Sequence, residues 1–89
     1  MEIIKCASAG TLESSDVYVE IEPAEAGISF SLESVVKNQF GEKIEKAVMD
    51  VLNGYDVKNA EIRVTDRGAL ECVIRARVET AILRGTEEK

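Results

Sequence analysis

The sequence predicts a small α+β domain, in which a mostly antiparallel sheet of about four strands carries two helices packed on one face. Four segments have the residue alternation of strands, and two later segments have apolar residues at helical spacing. Strands that mostly precede helices favour the α+β class. The chain has 89 residues, which leaves no room for a second hydrophobic core.

The first two strands flank a polar segment. The first predicted strand, Ile3–Ala7, is short, and we expect it to end at the small residues Ser8–Gly10. The segment Gly10–Asp16 is polar and turn-prone, so we predict an exposed loop. The second strand, Val17–Glu22, begins with three β-forming residues and ends before Pro23, which has no N–H to donate to a ladder.

The third and fourth strands alternate apolar and polar side chains. The third is Ile28–Glu33, and the connection Ala24–Gly27 has hairpin length, so we expect antiparallel pairing with the preceding strand. The fourth is Ala60–Thr65. We predict a turn at Asp66–Gly68, with either Asp66 or Gly68 as the cap of the helix that follows.

Each predicted helix has an apolar stripe and recognisable ends. The first helix follows Ser34, a predicted N-cap, and ends near Gly54, which suits the left-handed position just past a helix. The second begins near Leu70, and the polar segment Gly85–Lys89 is predicted to be a frayed tail. The first stripe comprises Val36, Phe40, Ile44, Ala47, Val48, Val51, Leu52 and Tyr55, and the second comprises Val73, Ile74, Val78, Ala81 and Ile82.

Charge and composition exclude several classes of function. The net charge is −6 at pH 7, so we expect neither a nucleic-acid partner nor binding to an anionic membrane surface. The chain has no histidine, which removes histidine general acid–base catalysis and histidine metal ligands. Two separated cysteines are too few for a structural zinc site. We therefore expect no metal site and no catalytic residue.

The two cysteines and the N-terminus predict a cytoplasmic location. Cys6 and Cys72 lie far apart in sequence, and we predict two buried, reduced thiols. No apolar run is long enough to span a bilayer. The segment Met1–Lys5 lacks the basic start and long apolar stretch of a secretion signal.

Four arginines form a candidate cluster of positive charge. Arg63, Arg67, Arg75 and Arg77 have guanidinium groups that are able to bind phosphates. The favoured interpretation is that they pair with nearby carboxylates, because partners at helical spacing such as Glu71 are available.

The predicted loop contains two adjacent serines. Ser14 and Ser15 have no nearby base in the sequence, so neither is predicted to be an activated nucleophile. An exposed serine hydroxyl is nevertheless what a transferase needs to attach a phosphodiester-linked group. From the residues alone, an unmodified turn is the simpler interpretation.

The loop also resembles a known motif. Gly-Thr-Leu-Glu-Ser-Ser-Asp at Gly10–Asp16 is similar to the modification motif of the citrate lyase acyl carrier protein (gamma subunit) family. The resemblance runs from Gly10 to Arg84, and its motifs are specific when taken together. The other matching motifs are Val36–Gly41, Val51-Leu52 with Tyr55 and Val57, Asp66–Cys72, and Ile74–Arg77.

The resemblance implies a site and a function. In that family a serine carries 2′-(5″-phosphoribosyl)-3′-dephospho-CoA through a phosphodiester. The family's Glu-Ser pair matches Glu13-Ser14, which implies attachment at Ser14, with Ser15 as the alternative. Residues 1–89 would form a single acyl-carrier domain that carries acetyl and citryl thioesters during cleavage of citrate to acetate and oxaloacetate.

The resemblance also implies the partners. They are the citrate lyase alpha subunit (the acyltransferase), the beta subunit (the lyase) and the transferase that attaches the arm, while this chain is a non-catalytic carrier. Two alternatives stay open. One is the carrier subunit of malonate decarboxylase, which uses the same kind of arm. The other is an unmodified protein-interaction module that uses the stripe between Val36 and Leu52.

Overall fold

The computed structural model describes residues 1–35 and 37–86, and within them four strands form one sheet. The elements in chain order are β1 (Ala7–Gly10), β2 (Val17–Glu22), β3 (Ile28–Ser34), α1 (Lys37–Gly54), β4 (Ala60–Asp66) and α2 (Glu71–Gly85). The predicted α+β class with four strands and two helices is confirmed. No helix of the described residues is long and apolar enough to cross a membrane.

One face of the sheet carries both helices. In β2 and β4 alternate residues are buried, and Val19 lies opposite Val64 in the antiparallel ladder. The intervening residues, among them Glu20 and Arg63, lie on the other face and are partly exposed. The buried helix residues are Ile44, Ala47, Val48 and Leu52 in α1, and Ile74, Val78, Ala81, Ile82 and Gly85 in α2. Each large aliphatic side chain buried here contributes roughly 1.5–3 kcal/mol relative to an exposed one.

The stripe predicted for α1 is buried along most of its length. Val51 and Tyr55 are half-buried and pack against the core, whereas Phe40 is 44% exposed. Val36 lies outside the described residues. The helix face that an interaction module would need is therefore mostly used for internal packing.

The predicted pairing of the second and third strands is wrong. The strand order is β1-β2-β4-β3, so β4 separates β2 from β3. β4 pairs antiparallel with β2 and parallel with β3, which makes the sheet mixed. The cause is the β3–α1–β4 unit, because a strand–helix–strand crossover joins parallel neighbours.

The connection Pro23–Gly27 passes across the start of β4. Two strand spacings are about 9.6 Å, and five extended residues span about 16–18 Å, so the connection is long enough. The Ala60 N–H donates to the Gly27 carbonyl at 3.0 Å, and the Gly27 N–H donates to Asn59 Oδ1 at 2.8 Å.

The predicted ends of the first helix need correction. Ser34 is the last residue of β3 rather than an N-cap, and its hydroxyl donates to Asp66 Oδ2 at 2.8 Å. Gly54 is the last residue of α1, and the left-handed residue beyond it is Asp56, with φ 54°. The Val57 N–H then donates to the Leu52 carbonyl at 2.9 Å, which closes the turn.

Neither predicted cap of the second helix is used. The N-cap position of α2 is Leu70, which makes no side-chain cap hydrogen bond. The Asp66 carboxylate instead accepts the Ala69 N–H at 2.9 Å, so it stabilises the turn between β4 and α2. Gly68 has φ 91° within that turn.

The two chain ends meet, which corrects two further predictions. The first strand is Ala7–Gly10, because the backbone N–H groups of Ile4 and Lys5 donate to the Gly85 carbonyl at 2.9 and 3.3 Å. Gly85, predicted to begin a frayed tail, is buried in α2, where a Cβ would lie 3.3 Å from Ile3 Cγ2. Residues 87–89 of the predicted tail lie outside the described residues.

Candidate functional site

Residues Thr11–Asp16, hereafter the serine loop, join β1 to β2 as the loop of an antiparallel hairpin. The Thr11 N–H donates to the Val17 carbonyl at 3.2 Å, next to Gly10. Gly10 has φ 95°, and a Cβ there would lie 1.8 Å from the Val17 carbonyl oxygen. The chain can enter this loop as it does only because position 10 is glycine.

Asp16 is the centre of the loop's hydrogen bonding. Its Oδ2 accepts the Thr11 hydroxyl at 2.6 Å, and its Oδ1 accepts the Val17 N–H at 2.7 Å. The Arg77 guanidinium, from α2, donates to both oxygens at 3.2 and 3.0 Å. The carboxylate thereby ties both ends of the loop to α2.

These contacts lower the pKa of Asp16 to about 2. The Thr11 hydroxyl is the largest cause and the Val17 N–H the next, with a smaller contribution from Arg77, while partial burial opposes them. Hydrogen bonds to the charged form favour ionisation. Asp16 is therefore a carboxylate at neutral pH.

A second anchor joins the serine loop to the turn after β4. The Ser15 N–H donates to the Arg67 carbonyl at 2.8 Å, and the Arg67 N–H donates to the Asp16 carbonyl at 2.9 Å. Within the loop the Asp16 N–H donates to the Glu13 carbonyl at 3.1 Å. The loop backbone is thus fixed by contacts to residues far along the chain.

The two candidate serines lie on this anchored loop, and both are exposed. Ser15 has the left-handed φ of 66° and uses its backbone N–H in the contact with Arg67. Within the described part of the chain, no hydrogen bond engages the Ser14 hydroxyl. Ser14 Oγ is therefore free to react with a group brought from outside.

The loop presents a hydroxyl but does not activate it. Asp16 is the carboxylate tied most closely into the loop, and a pKa of about 2 makes it a poor base for a serine proton. Its oxygens also accept hydrogen bonds from Thr11, Val17 and Arg77.

Three of the four candidate arginines pair with carboxylates, as the favoured interpretation predicts, although the partner of Arg77 is distant rather than nearby in sequence. Arg77 pairs with Asp16 at 3.0 Å, and Arg75 pairs with Asp50 at 3.2 Å and with Glu71 at 3.1 Å. Asp50 and then Glu71 raise the pKa of Arg75. The acidic partners of Arg63 on the open face of the sheet are Glu20, Glu22 and Glu61.

Arg67 differs from the other three. No carboxylate among residues 1–35 and 37–86 lies within ion-pair distance of its guanidinium, although its backbone holds the serine loop. The sequence did not indicate this difference between Arg67 and the other three arginines. The ion pair that matters most at the loop joins Asp16 to Arg77, 61 positions apart, and no local spacing rule finds such a pair.

The predicted burial of the cysteines is wrong, because both thiols are free and exposed. Cys6 lies just before β1, and its Sγ donates to Glu22 Oε1 at 3.5 Å. That hydrogen bond raises the pKa of Cys6. Cys72 lies one position off the apolar stripe of α2, in the first helical turn. Within the described residues, no group of three or more His, Cys, Asp or Glu side chains is placed to hold a metal ion.

Comparisons with known proteins agree with this architecture. The family model described as the malonate decarboxylase delta subunit (MdcD), an ACP family, matches residues 4–85. A chain of the crystal structure of a Pseudomonas malonate decarboxylase hetero-tetramer in complex with malonate has a TM-score of 0.77 and 23% identity. That match covers 94% of this chain and 87% of the other, and it shows a shared fold.

Curated relatives are more similar in sequence. The citrate lyase acyl carrier protein of Escherichia fergusonii is 54% identical over 89 residues, covering 99% of this chain and 92% of the relative. That of Lactococcus lactis is 52% identical over 89 residues, covering 100% of this chain and 93% of the relative. An anchored loop with an exposed serine on this fold, with identity of this extent along the whole chain, shows that the chain belongs to the citrate lyase acyl carrier protein family.

Proposed function

We propose that this chain is the acyl carrier subunit of a citrate lyase complex, with 2′-(5″-phosphoribosyl)-3′-dephospho-CoA attached to Ser14 through a phosphodiester. Membership of an acyl carrier family implies a covalently attached prosthetic group and partner subunits. The observation that carries the proposal is the exposed, unbonded Ser14 on a loop fixed at Asp16 and Ser15.

The loop geometry suits a large attached group. Ser14 projects from an exposed turn, so a substituent on its Oγ displaces no core side chain. The anchors at Thr11, Asp16 and Ser15 order the loop before any partner binds, and less ordering entropy is then lost on binding. Ser15 is the less suitable acceptor, because its backbone holds a left-handed conformation and a hydrogen bond to Arg67.

Attachment makes one bond to the chain. The Ser14 Oγ–H bond breaks, the Oγ–P bond forms, and the bond from phosphorus to the leaving group of the donor breaks. The transferase that attaches the arm would supply the base that takes the proton, since Asp16 is too weak a base. The leaving group departs with the electron pair of its bond to phosphorus.

The chain would then act as a carrier rather than as a catalyst. When bound, the arm would supply a terminal thiol that carries acetyl and citryl groups as thioesters. The alpha and beta subunits would contribute the acyltransferase and lyase steps that give acetate and oxaloacetate from citrate. Tethering at Ser14 would hold that thiol at high effective concentration in each partner's site.

The charge and the thiols of the chain fit this role. A net charge of −6 favours docking on basic surfaces of partner subunits and steers their association. The proposed location is the cytoplasm, where the exposed thiols of Cys6 and Cys72 would stay reduced.

A second candidate function is the carrier subunit of malonate decarboxylase. The description of the family model and the fold of the Pseudomonas chain favour it. Identity of 54% with a citrate lyase carrier, against 23% with that chain, makes citrate lyase the better-supported complex. The two functions differ in the acyl group that the loaded carrier accepts.

Reconstitution with citrate lyase alpha and beta subunits tests the proposal. Matured wild-type carrier and Ser15→Ala should support citrate cleavage at equal rates, whereas Ser14→Ala should support none. Citrate cleavage by the double variant, Ser14→Ala with Ser15→Ala, would contradict the proposal. Activity of the wild type only with malonate decarboxylase subunits would support the second candidate instead.

A further inference from the structure

We propose that the pocket between α1 and the Asp66–Ala69 turn, hereafter the α1 pocket, binds the nucleotide part of the arm attached to Ser14. This inference rests on the function proposed above. The pocket has a volume of about 230 Å³ and is open to solvent at one side. Its apolar walls include Phe40, Ile44, Ala47 and Ile74.

The α1 pocket shares one wall with the serine loop. The backbone of Arg67 exchanges hydrogen bonds with Ser15 and Asp16 at 2.8 and 2.9 Å. The next two residues, Gly68 and Ala69, line the pocket. The purine is on the second ribose from the phosphodiester, so it belongs to the half of the arm that begins closest to this wall.

The shape and apolarity of the pocket suit a flat purine ring. Phe40 is 44% exposed, and a base packed against it would bury apolar surface that the carrier alone leaves in water. Ile44 and Ile74 are buried behind it and form the floor. Mostly apolar pockets with a few polar groups are the usual sites for small ligands.

A buried carboxylate supplies the polar group. Asp66 is 1% exposed and lines the pocket. It accepts the Ser34 hydroxyl at 2.8 Å and the Ala69 N–H at 2.9 Å. A carboxylate offers about four acceptor positions, so Asp66 has capacity for a further donor such as the exocyclic amino group of a purine. An additional donor would offset the cost of burying this charge.

One cation lines the α1 pocket, and another belongs to the turn beside it. Lys43 lines it, with its Nζ 5.7 Å from the centroid of the Phe40 ring. Arg67 lies in the turn that forms the shared wall. Among residues 1–35 and 37–86, no carboxylate pairs with either side chain, and Glu71, which also lines the pocket, pairs with Arg75 at 3.1 Å. In a chain of net charge −6, these two cations are available to pair with phosphate groups of the arm.

NMR of the isotope-labelled full-length carrier, before and after maturation, tests the inference. Intact mass followed by peptide fragmentation first establishes that the arm is on Ser14. We expect nuclear Overhauser effects from the purine protons to the Phe40 ring and to the Ile44 and Ile74 methyl groups. The resonances of Leu32, which lines a separate pocket on the other side of α1, should not change.

Variants make the test specific. Phe40→Ala should abolish the effects between the purine and the isoleucine methyls, while Leu83→Ala, which removes an equally exposed side chain from α2, should preserve them. Lys43→Gln combined with Arg67→Gln leaves the apolar walls intact and should weaken these effects at least twofold. This double variant keeps the inference testable if the Phe40→Ala variant does not fold.

The outcomes separate the inference from the function on which it rests. A carrier with the arm on Ser14 whose shifts are confined to the serine loop, without contacts to Phe40, overturns the inference and leaves the proposed function standing. A carrier that receives no arm from an active transferase overturns both.

Discussion

The two connections that flank β2 are nearly equal in length and differ in what holds them. The serine loop, Thr11–Asp16, is fixed by one carboxylate with four hydrogen bonds and by two backbone contacts to Arg67. The connection Pro23–Gly27 reaches the rest of the fold through Gly27, which bonds to Asn59 and Ala60.

This difference distinguishes a connection that only joins two strands from a loop that exposes a candidate functional side chain. A connection that only has to reach the next strand needs few anchors, as Pro23–Gly27 shows. The serine loop has a centre of polar contacts at Asp16, an ion pair to α2, and a left-handed residue at Ser15. The loop backbone that carries Ser14 is thereby held in place, while the Ser14 side chain remains exposed.

The largest expected difference concerns the glycines of the two connections. Gly10→Ala should lower the free energy of unfolding by about 3 kcal/mol, because its Cβ would overlap the Val17 carbonyl oxygen. Gly27→Ala has open space around its Cβ and should cost only the left-handed strain of about 1 kcal/mol. Urea unfolding of both variants measures this. Equal losses would show that the two connections are equally constrained.

The next prediction concerns the centre of the loop. Asp16→Asn should slow attachment of the arm roughly tenfold to hundredfold, because a loosened loop presents Ser14 in many orientations. Glu25→Gln, in the other connection, removes one negative charge as well and should leave the rate unchanged. Initial rates of mass increase with excess transferase measure the effect. An unchanged rate for Asp16→Asn would mean that loop order is not needed for attachment.

A pH prediction follows from the pKa of Asp16. The pKa is lowered from its ordinary value of 3.8 to about 2, so the stability that the ionised carboxylate contributes is present above pH 4 and is lost between about pH 4 and pH 2. Carboxyl-carbon NMR should show Asp16 titrating near pH 2. Thr11→Val should raise this pKa, because it removes the hydroxyl that is the largest single cause of the lowering. An unchanged pKa in Thr11→Val would make the ion pair with Arg77 the main anchor.

The smallest expected effect is at Ser15. Ser15→Gly should raise the free energy of unfolding by about 0.5–1 kcal/mol, because glycine adopts φ 66° without strain, and this gain is only partly offset by the greater chain entropy that glycine loses on folding. Attachment at Ser14 should proceed at the wild-type rate. Thermal unfolding and the rate of mass increase together check this. A large loss of attachment would give Ser15 a direct role.

The local parts of the fold were predictable from the sequence. Strict alternation identified β2, β3 and β4 within one or two residues, and helical spacing identified the buried faces of α1 and α2. These patterns depend only on which face of each element meets the core. The position of Pro23 also gave the end of β2 correctly.

The strand order was not predictable in the same way. A connection of five residues fits a hairpin with β2 and also fits a step across β4, and alternation is identical in both arrangements. Ser34 and Asp66 show the same limit, since their hydrogen bond joins strands that the sequence separates by a helix. The predicted burial of the cysteines was wrong because position in the fold, rather than residue type, decides exposure. Cys72 lies beside the apolar stripe of α2, and Cys6 lies just before β1.

The candidate site likewise has one part that the sequence predicts and another that it does not. The resemblance of Gly10–Asp16 to a family motif predicts Ser14 as the attachment site, whereas the contacts of Arg77 and Arg67 that hold the loop come from distant parts of the chain. From the sequence, Arg67 and Arg77 belong to one candidate cluster of positive charge. In the structure, Arg77 pairs with the loop carboxylate through its guanidinium, whereas Arg67 contacts the loop through its backbone.

Intact mass followed by peptide fragmentation tests the central claim most directly, on carrier produced together with its maturation enzymes. The account predicts a phosphoribosyl-dephospho-CoA adduct on Ser14 in the wild type and in Ser15→Ala, and none in Ser14→Ala. An adduct that maps to Ser15, or a wild-type carrier that stays unmodified beside a transferase active on a known carrier, would contradict it.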